Sequence, residues 1–330
     1  MSRRVLVTGG TGFIGRQTIA PLLGRGFDIC LAGRGAPPAD VAELIAASRG
    51  RLSHHVVDFL DAGAAAALVE DLRPSHLLHL AWDTRHGLFW TSAENEQWVA
   101  ASRRLLESFV RSGGVRFVGA GTCVEYAPTN VPLVEATAVL EPTTPYGRAK
   151  LAFRSAVVEA SKRHGLSTAW GRVFHLFGPH EQPARLVPAA ITSLLDGRPF
   201  AATAGNQVRD YSSVVDVAAA FVEVLDSDLS GDVNVASGAA TTVADVLRTI
   251  GDIIGHAELI GLGRVPTPPH DVPVLVADAS RLRGRFPHLF ATGLRERLGE
   301  TVDWWRSRQK TDHGTPPRRQ SPELPFSHPP

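Results

Sequence analysis

Short apolar runs alternate with helical patterns through the first half of this chain. Runs rich in Val, Leu and Ile predict strands at 5–7, 29–31, 55–57, 77–80, 116–119 and 168–174. Between them, the spacing of apolar residues predicts helices near 14–24, 40–48, 62–71 and 93–112, and a long helix that starts near Tyr146. Strands and helices that alternate in this way are typical of a parallel sheet covered by helices on both faces. The pattern therefore predicts an α/β fold with a doubly wound parallel sheet.

The pattern loosens after Gly178-Pro179. Helices are predicted near 184–196, 214–226 and 243–254, with short strands near 200–203, 233–235 and 274–276. We interpret this part as a smaller C-terminal lobe, some of whose segments return to the first sheet. The expected organisation is a main domain over 1–178, a lobe over 179–306 and a disordered tail over 307–330, because the tail is rich in Pro, Arg, Ser and His.

Composition and charge exclude several classes of partner. The chain has 330 residues, 44% apolar and 20% charged, with a net charge of +1, as in ordinary globular proteins. This charge gives no electrostatic case for a nucleic acid or a membrane as partner, and no apolar run is long enough to cross a bilayer. The first strand follows the N-terminus directly, which leaves no room for a signal peptide, so we expect a cytoplasmic protein. Cys30 and Cys123 have no clustered metal ligands nearby, so neither a disulfide framework nor a metal site is expected.

A glycine-rich turn follows the first predicted strand. Residues 8–15 read Thr-Gly-Gly-Thr-Gly-Phe-Ile-Gly, and the first helix is predicted to begin there. Glycines in such a turn remove the Cβ atoms that would hold a pyrophosphate away from the backbone, and the helix N-terminus attracts the anion. The turn predicts a Rossmann dinucleotide site, the alternative being a plain glycine-rich turn between strand and helix. The expected cofactor residues here are Gly9, Gly12, Phe13, Ile14 and Gly15.

The end of the second strand bears on the choice of dinucleotide. An acidic residue at this point would hydrogen-bond the adenosine ribose and favour NAD, whereas a basic residue pairs with the 2′-phosphate of NADP. The sequence has Arg34 and no acid here, with Arg3 and Arg4 as candidate neighbours. We therefore expect NADP(H) to be favoured, with NAD possible. The alternative is that Arg34 is a solvated loop charge.

Two further segments are expected to touch the cofactor. Asp58 and Phe59 follow the third strand, where a carboxylate can accept a hydrogen bond from the adenine amino group and a ring can flank the base. The alternative is that Asp58 or Asp61 caps the next helix. Leu80 and Ala81 end the fourth strand, where a small residue exposes the backbone to the cofactor ribose.

The candidate catalytic residues lie near the middle of the chain. Tyr146 and Lys150 are four residues apart, so on a helix both side chains share one face. A nearby ammonium lowers the high pKa of a tyrosine, which can then exchange a proton with a substrate oxygen while a nicotinamide exchanges a hydride with the carbon. Thr122 follows the strand that ends in Gly119-Ala-Gly, where its hydroxyl can orient the substrate oxygen. Alone, the Tyr–Lys pair would be interpreted as a surface pair.

Together these segments resemble the extended short-chain dehydrogenase/reductases of the NAD-dependent epimerase/dehydratase family, over about residues 4–305. The motifs are specific for this superfamily and leave the substrate open. The matching segments are the turn at 8–15, His79-Leu-Ala81, Thr122 followed four residues later by Tyr126, Tyr146-x-x-x-Lys150, Gly178-Pro179, residues 209–218 and Asp278-Ala-Ser280.

The resemblance implies a Rossmann domain, a C-terminal lobe that binds a nucleotide sugar, and a homodimer. It gives Thr122, Tyr146 and Lys150 the roles of a catalytic triad. By motif position, the resemblance places Val173 beside the nicotinamide, His175 near the sugar diphosphate, Arg209 on that diphosphate and Asp271 on the nucleotide ribose. A guanidinium such as that of Arg209 suits a diphosphate because it can donate two parallel hydrogen bonds. The alternative is that Arg209 forms a salt bridge with an acid such as Asp210.

An aromatic and charged loop at 82–86 follows the fourth strand, near the expected position of the sugar. Thr84 in this loop is a candidate substrate contact. Trp82 and Trp90 either stack on a sugar or base, or pack the interface between the lobes. Trp98 stands where the family usually has an asparagine, with Asn95 one helical turn earlier.

One departure from the family argues against dehydration. Its sugar-nucleotide 4,6-dehydratases carry an acidic pair directly after the catalytic threonine, which removes water once C4 is a ketone. Here Cys123 and Val124 occupy those positions and cannot act in that way, and Glu125 comes two places late.

Three functions remain. The first is an NADP(H)-dependent reductase of a keto-sugar nucleotide, expected to be a 4-keto-6-deoxyhexose in deoxysugar synthesis, which Arg34 favours. The second is a nucleotide-sugar 4-epimerase with tightly bound NAD and the same triad. The third, from another class, is a non-catalytic NAD(P)-binding sensor, against which the complete triad argues.

Overall fold

A computed structural model describes residues 3–268 and 271–312, with a seven-stranded sheet at the centre. Every neighbouring pair of strands in this sheet is parallel. The predicted doubly wound α/β fold is confirmed. In chain order the strands are β1 (Arg4–Thr8), β2 (Asp28–Gly33), β3 (Leu52–Val56), β4 (His76–His79), β5 (Arg116–Thr122), β6 (Ser167–Val173) and a returning strand, Gly231–Val235. Their order across the sheet is Gly231–Val235, β6, β5, β4, β1, β2, β3.

Helices cover both faces of the sheet. Along β1, Val5 and Val7 face one apolar cluster and Leu6 faces the other, because successive side chains of a strand point to opposite faces. The first five helices are α1 (Ile19–Gly24), α2 (Ala39–Ala47), α3 (Ala62–Leu72), α4 (Glu94–Arg111) and α5 (Pro145–His164). The first cluster includes residues of α1, α2 and the later helix Val214–Leu225, and the second includes residues of α3, α4 and α5.

The strand order places a crevice beside β1. This strand lies between β4 and β2, and the chain winds outward from it in both directions. The loops that follow β1 and β4 therefore diverge at the carboxyl ends of the strands, where ligands bind in open α/β sheets. The glycine-rich turn and residues 80–90 lie at this edge.

The C-terminal lobe has its own small sheets and core. The elements of this part of the chain are β7 (His175–Phe177), α6 (Leu186–Leu195), β8 (Phe200–Ala201), β9 (Val208–Ser213), α7 (Val214–Leu225), β10 (Gly231–Val235), β11 (Ala240–Thr242), α8 (Val243–Ile254), β12 (Ile260–Gly261), β13 (Val274–Leu275), α9 (Ser280–Arg285) and α10 (Leu294–Asp312). Strand β9 pairs with β7, β11 and β13, and β8 pairs with β12, while β10 lies in the main sheet. Helices α6, α8 and α10 supply the apolar core of this lobe.

Some elements differ from the expectation. Helix α10 continues to Asp312, beyond residue 307 where the disordered tail was expected to begin, and residues 313–330 of that tail lie outside the described part. Strands β7 and β9 were not predicted. Within residues 3–268 and 271–312, no helix has the length and apolar character to cross a bilayer, and no three metal-ligating side chains come together.

Candidate active site

The glycine-rich turn forms a tight cradle in front of β1. Gly9 has a φ of +68°, and a Cβ added to it would lie 2.9 Å from the backbone nitrogen of Ala81. A Cβ on Gly15 would lie 2.2 Å from the carbonyl oxygen of Gly9. The turn is therefore closed against the segment after β4, and its backbone is accessible only because these side chains are absent. This arrangement fits a dinucleotide pyrophosphate.

Two of the residues expected to contact the adenosine, Arg34 and Asp58, are exposed at the ends of neighbouring strands. Arg34 follows β2 and is exposed to solvent. Asp61, not Asp58, caps α3, because its carboxylate accepts hydrogen bonds from the backbone of Gly63 and Ala64. Asp58 is exposed and accepts one local bond from the Leu60 backbone, at 3.1 Å. The carboxylate of Asp58 therefore remains accessible to a ligand. The ring of Phe59, which was expected to flank the base, is buried in the helix-covered core.

The three candidate catalytic side chains converge at the end of β5. Thr122 is the last residue of that strand and pairs in register with Val173, the last residue of β6. Tyr146 and Lys150 lie on the first turns of α5, whose start is fixed by the Thr144 hydroxyl. The Lys150 ammonium donates to the carbonyl of Ala120 at 3.0 Å. Both side chains of the Tyr–Lys pair are buried against this strand end, so the pair is not a surface pair.

Burial controls the protonation of these groups. It raises the pKa of Tyr146 above its ordinary value, and Glu125 and Cys123 raise it further, whereas Arg185 and a hydrogen bond with Thr122 lower it. Burial lowers the pKa of Lys150 to about 7, and the carboxylate of Glu125 opposes this shift. The pKa of Tyr146 is thus raised, not lowered as the sequence led us to expect, because burial outweighs the nearby positive charge. The tyrosine is neutral around pH 7, and the lysine titrates close to that pH.

Glu125 lies beneath the candidate catalytic residue Thr122 and belongs to the core. Its carboxylate accepts hydrogen bonds from the Thr122 backbone at 2.9 Å, from the Trp170 indole at 3.0 Å and from Arg172 at 2.8 Å. Glu125 and Arg172 are both fully buried, and Arg172 also contacts Asp232. Glu125 therefore braces the end of β5 and does not face the substrate side as a dehydratase acid would.

The neighbouring histidine is also structural. His79 ends β4, and its two ring nitrogens are hydrogen-bonded to Thr8 at 2.8 Å and to Ser102 at 3.0 Å. Burial lowers the pKa of His79 to about 3, with the Lys150 charge adding to the shift. It is a neutral core residue that links two strands of the cofactor crevice to α4.

Aromatic rings surround Tyr146. The centroids of Phe89, Trp90 and Trp82 lie 4.8, 5.8 and 6.4 Å from its ring, each in an edge-to-face arrangement. The indole of Trp82 also lies over Lys150, with the ammonium 4.0 Å from the ring centroid. Trp82 and Trp90 thus pack around the candidate catalytic tyrosine, whose side chain is buried among these rings.

The expected substrate residues lie where the lobe meets the sheet. His175 on β7 contacts the ring of Tyr211 on β9, with centroids 5.5 Å apart. Arg209 forms a buried ion pair with Asp271 at 2.5 Å, and Gln207 donates to the same carboxylate at 2.7 Å. Asp210, the alternative partner for Arg209, instead accepts hydrogen bonds from residues 237, 238 and 277.

Thr84 is exposed, and the loop that carries it is attached to the lobe. The amide of Gln182 donates to the Thr84 carbonyl at 3.1 Å and accepts from the backbone of His86 at 3.0 Å. This bridge holds the loop at 82–86 over the site from the lobe side. The substrate roles of these residues stay predictions.

Sequence reasoning missed two charged residues of the loop before α6. Glu181 is 8% exposed, its Oε2 atom has no hydrogen-bond partner among the described residues, and burial raises its pKa to about 8. Arg185 lies over the ring of Phe89 at 5.6 Å and acts electrostatically on Tyr146. Their only signal in the sequence is that they follow Gly178-Pro179, a segment that marks the change of pattern and resembles the family.

Comparisons with known proteins identify the family of this chain. Residues 5–236 match the model of the NAD dependent epimerase/dehydratase family. The chain is 27% identical to UDP-glucose 4-epimerase 4 of Oryza sativa subsp. japonica (92% of this chain, 90% of that protein), and 25% identical to a dTDP-glucose 4,6-dehydratase of Neisseria meningitidis (92% and 96%).

Solved structures extend the similarity to the fold. The crystal structure of UDP-glucose 4-epimerase from Thermus thermophilus, a complex with NAD, superimposes with a TM-score of 0.79 at 26% identity. The match covers 92% of this chain and 99% of that one. The resemblance inferred from the sequence is confirmed: the chain belongs to the NAD-dependent epimerase/dehydratase family.

Proposed function

We propose that this protein exchanges a hydride reversibly with a ring carbon of a nucleotide sugar, and that the net reaction is 4-epimerisation. The observation that carries the proposal is the convergence of Thr122, Tyr146 and Lys150 at the end of β5, without an acid in the two positions after the threonine. The similarity to proteins named UDP-glucose 4-epimerase supports it.

Each catalytic side chain has a distinct task in this proposal. As a phenolate, Tyr146 takes the proton from the sugar hydroxyl on oxidation, and as the neutral phenol it returns that proton on reduction. Thr122 hydrogen-bonds the same oxygen, and the charged Lys150 stabilises the phenolate form of Tyr146. A nicotinamide cofactor bound in the glycine-rich cradle would supply the hydride acceptor for the oxidation and the hydride donor for the reduction. The aromatic rings around Tyr146 exclude water and so strengthen these electrostatic effects.

The substrate is expected to lie between the sheet and the lobe. His175 and Arg209 remain our candidates for the sugar diphosphate, Asp271 for the nucleotide ribose and Thr84 for the sugar. Because Arg209 and Asp271 are paired with each other, binding requires a ligand oxygen to join or replace this ion pair. A cytoplasmic location and a homodimer stay predictions.

A second candidate, an NADPH-dependent reductase of a 4-keto-sugar nucleotide, is favoured by one specific observation. Arg34 stands exposed at the end of β2, where it is free to meet a 2′-phosphate, and residues 28–33 before it end without an acid. Against it, the Thermus thermophilus relative is a complex with NAD. We therefore place epimerisation with NAD ahead of the NADP(H)-dependent reductase that the sequence alone favoured.

The net fate of the cofactor separates the two candidates. The purified protein is mixed with UDP-glucose and NAD, and separately with a 4-keto-6-deoxyhexose nucleotide and NADPH, and the products are followed by NMR. We expect the first mixture to reach an equilibrium of two C4 epimers with no net change in NADH. Stoichiometric consumption of NADPH in the second mixture, with no epimerisation in the first, would overturn epimerisation in favour of the reductase. Inactivity in both, with cofactor bound, would support the sensor.

A further inference from the structure

The Lys150 ammonium lies in an unusual environment for a catalytic lysine. The residue is only 4% exposed, and its ammonium has three N–H donors. One points to the carbonyl of Ala120 at 3.0 Å, and the ammonium lies 4.0 Å from the centroid of the Trp82 ring. A carbonyl and an aromatic face thus occupy two of its directions and leave the rest of the ammonium to other ligands.

The Trp82 ring is held firmly in this position. Its indole N–H donates to the side-chain oxygen of Asn95 at 2.9 Å, and Trp98 stacks on it with centroids 5.9 Å apart. The Asn95 amide in turn donates to the carbonyls of Phe89 and Ser92, at 2.7 and 3.0 Å. The aromatic face over Lys150 is therefore built into the loop after β4.

We infer that Trp82 is a positioning residue that acts through Lys150. Its negatively polarised ring face holds the ammonium charged and in place, so that the free N–H is aimed at the catalytic side of the site. The expected effect of Trp82 on turnover rests on the proposed function. Its effect on the lysine itself does not depend on which reaction the protein catalyses.

The other charged and titratable groups around Lys150 do not replace this contact. Glu125, on the turn after β5, favours the charged form of Lys150 from a distance, but its carboxylate is paired with Arg172 and not with the ammonium. His79 on β4 is neutral at working pH, since its pKa is about 3. Tyr146 on the same helix is neutral because burial raises its pKa. With burial lowering the pKa of Lys150 to about 7, a loss of the ring face would discharge the lysine in the working pH range.

The test is a direct titration of the lysine. The chain has three lysines, Lys150, Lys162 and Lys310, so isotopic labelling of the lysine side chains gives three NMR signals, and Lys162→Arg and Lys310→Arg assign them. Replacing Trp82 by Leu removes the ring and is expected to lower the midpoint of Lys150 by about 1.5 pH units. Trp82→Phe keeps a weaker ring face and is expected to give an intermediate shift.

Trp98→Phe is the matched control. Trp98 stacks on Trp82 but does not lie over the ammonium, and its indole N–H has no hydrogen-bond partner among the described residues. We expect it to leave the Lys150 midpoint within about 0.3 pH units of the wild type. Equal midpoints in the wild type and the Trp82→Leu protein, or a shift of the same size in Trp98→Phe, would overturn the inference.

The pH profile of kcat provides the functional test. If Lys150 must be charged for turnover, the alkaline limb of the profile moves to lower pH in the order wild type, Trp82→Phe, Trp82→Leu. A purely structural role would lower kcat equally at every pH and leave the limb in place, which would refute the inference. Because the NMR titration needs no substrate, a wrong proposal for the reaction leaves the titration result intact.

Discussion

We expect Gly15→Ala to weaken cofactor binding more than it destabilises the fold. The added Cβ would lie 2.2 Å from the Gly9 carbonyl oxygen and 2.7 Å from the Cα of Gly10. Both neighbours are backbone atoms, which cannot rotate away. To reach a separation of about 3 Å, the turn must move by about 1 Å, which is typical of the overpacking that costs about 1–3 kcal/mol of stability.

The same displacement is large for a pyrophosphate site. Moving the turn by about 1 Å stretches the backbone N–H bonds to the ligand beyond hydrogen-bond range. Loss of two bonds to a charged group removes about 3 kcal/mol or more, or at least about 100-fold in affinity. Isothermal titration calorimetry of Gly15→Ala with NAD and NADPH measures this loss, while urea unfolding measures the smaller change in stability.

Gly24→Ala is the control for this experiment. Gly24 is the last residue of α1, and a Cβ added to it meets nothing within 4 Å. Alanine there should leave cofactor affinity unchanged and raise stability by up to about 1 kcal/mol, because alanine is the better helix former. Wild-type affinity in Gly15→Ala would refute the assignment of this turn to the dinucleotide.

Three further predictions concern charged residues. Glu125→Gln should destabilise the protein by about 3–5 kcal/mol in urea unfolding, because it leaves Arg172 buried without its full counter-charge; an unchanged midpoint would contradict the bracing role. Burial raises the pKa of Glu181 in the folded state to about 8, against an ordinary 4.5, so above pH 4.5 the folded state keeps a proton that the unfolded state loses. The free energy of unfolding should therefore fall by about 1.4 kcal/mol for each pH unit as the pH rises from 4.5 to about 8. Glu181→Gln should flatten that slope, and a parallel slope in both proteins would show that another group causes it. Arg34→Ala should narrow any preference for NADPH over NADH in binding assays, and an unchanged ratio would show that Arg34 does not contact the cofactor.

The sequence predicts the main sheet well because its strands are buried on both faces. Such strands are nearly continuous apolar runs, and the structure has β1, β2, β4, β5 and β6 within a few residues of the expected positions. Strand β9 was missed because it reads Val-Arg-Asp-Tyr-Ser-Ser, which lacks both an apolar run and a regular alternation. It is stabilised instead by buried polar contacts, among them Asp210 with the backbone of Gly238 at 2.8 Å.

The candidate site was predictable as far as its residues belong to local motifs. Tyr146 and Lys150 are four apart on one helix, so their proximity follows from helical geometry alone. The contacts of Lys150 with Trp82 and of Glu125 with Arg172 join residues that are 68 and 47 positions apart. Such pairs depend on the register of neighbouring strands and on the path of loops, which a single sequence does not specify.

In the proposed reaction, Tyr146 moves the proton while a hydride moves at a sugar carbon. Mixing NAD-loaded protein with UDP-glucose in a stopped-flow instrument and following the absorbance of the reduced nicotinamide measures this hydride transfer. We expect reduction in the wild type, and reduction at least about 100-fold slower in Tyr146→Phe, which still binds NAD with unchanged affinity. Equal rates of reduction in the two proteins would rule out Tyr146 as the group that moves the proton.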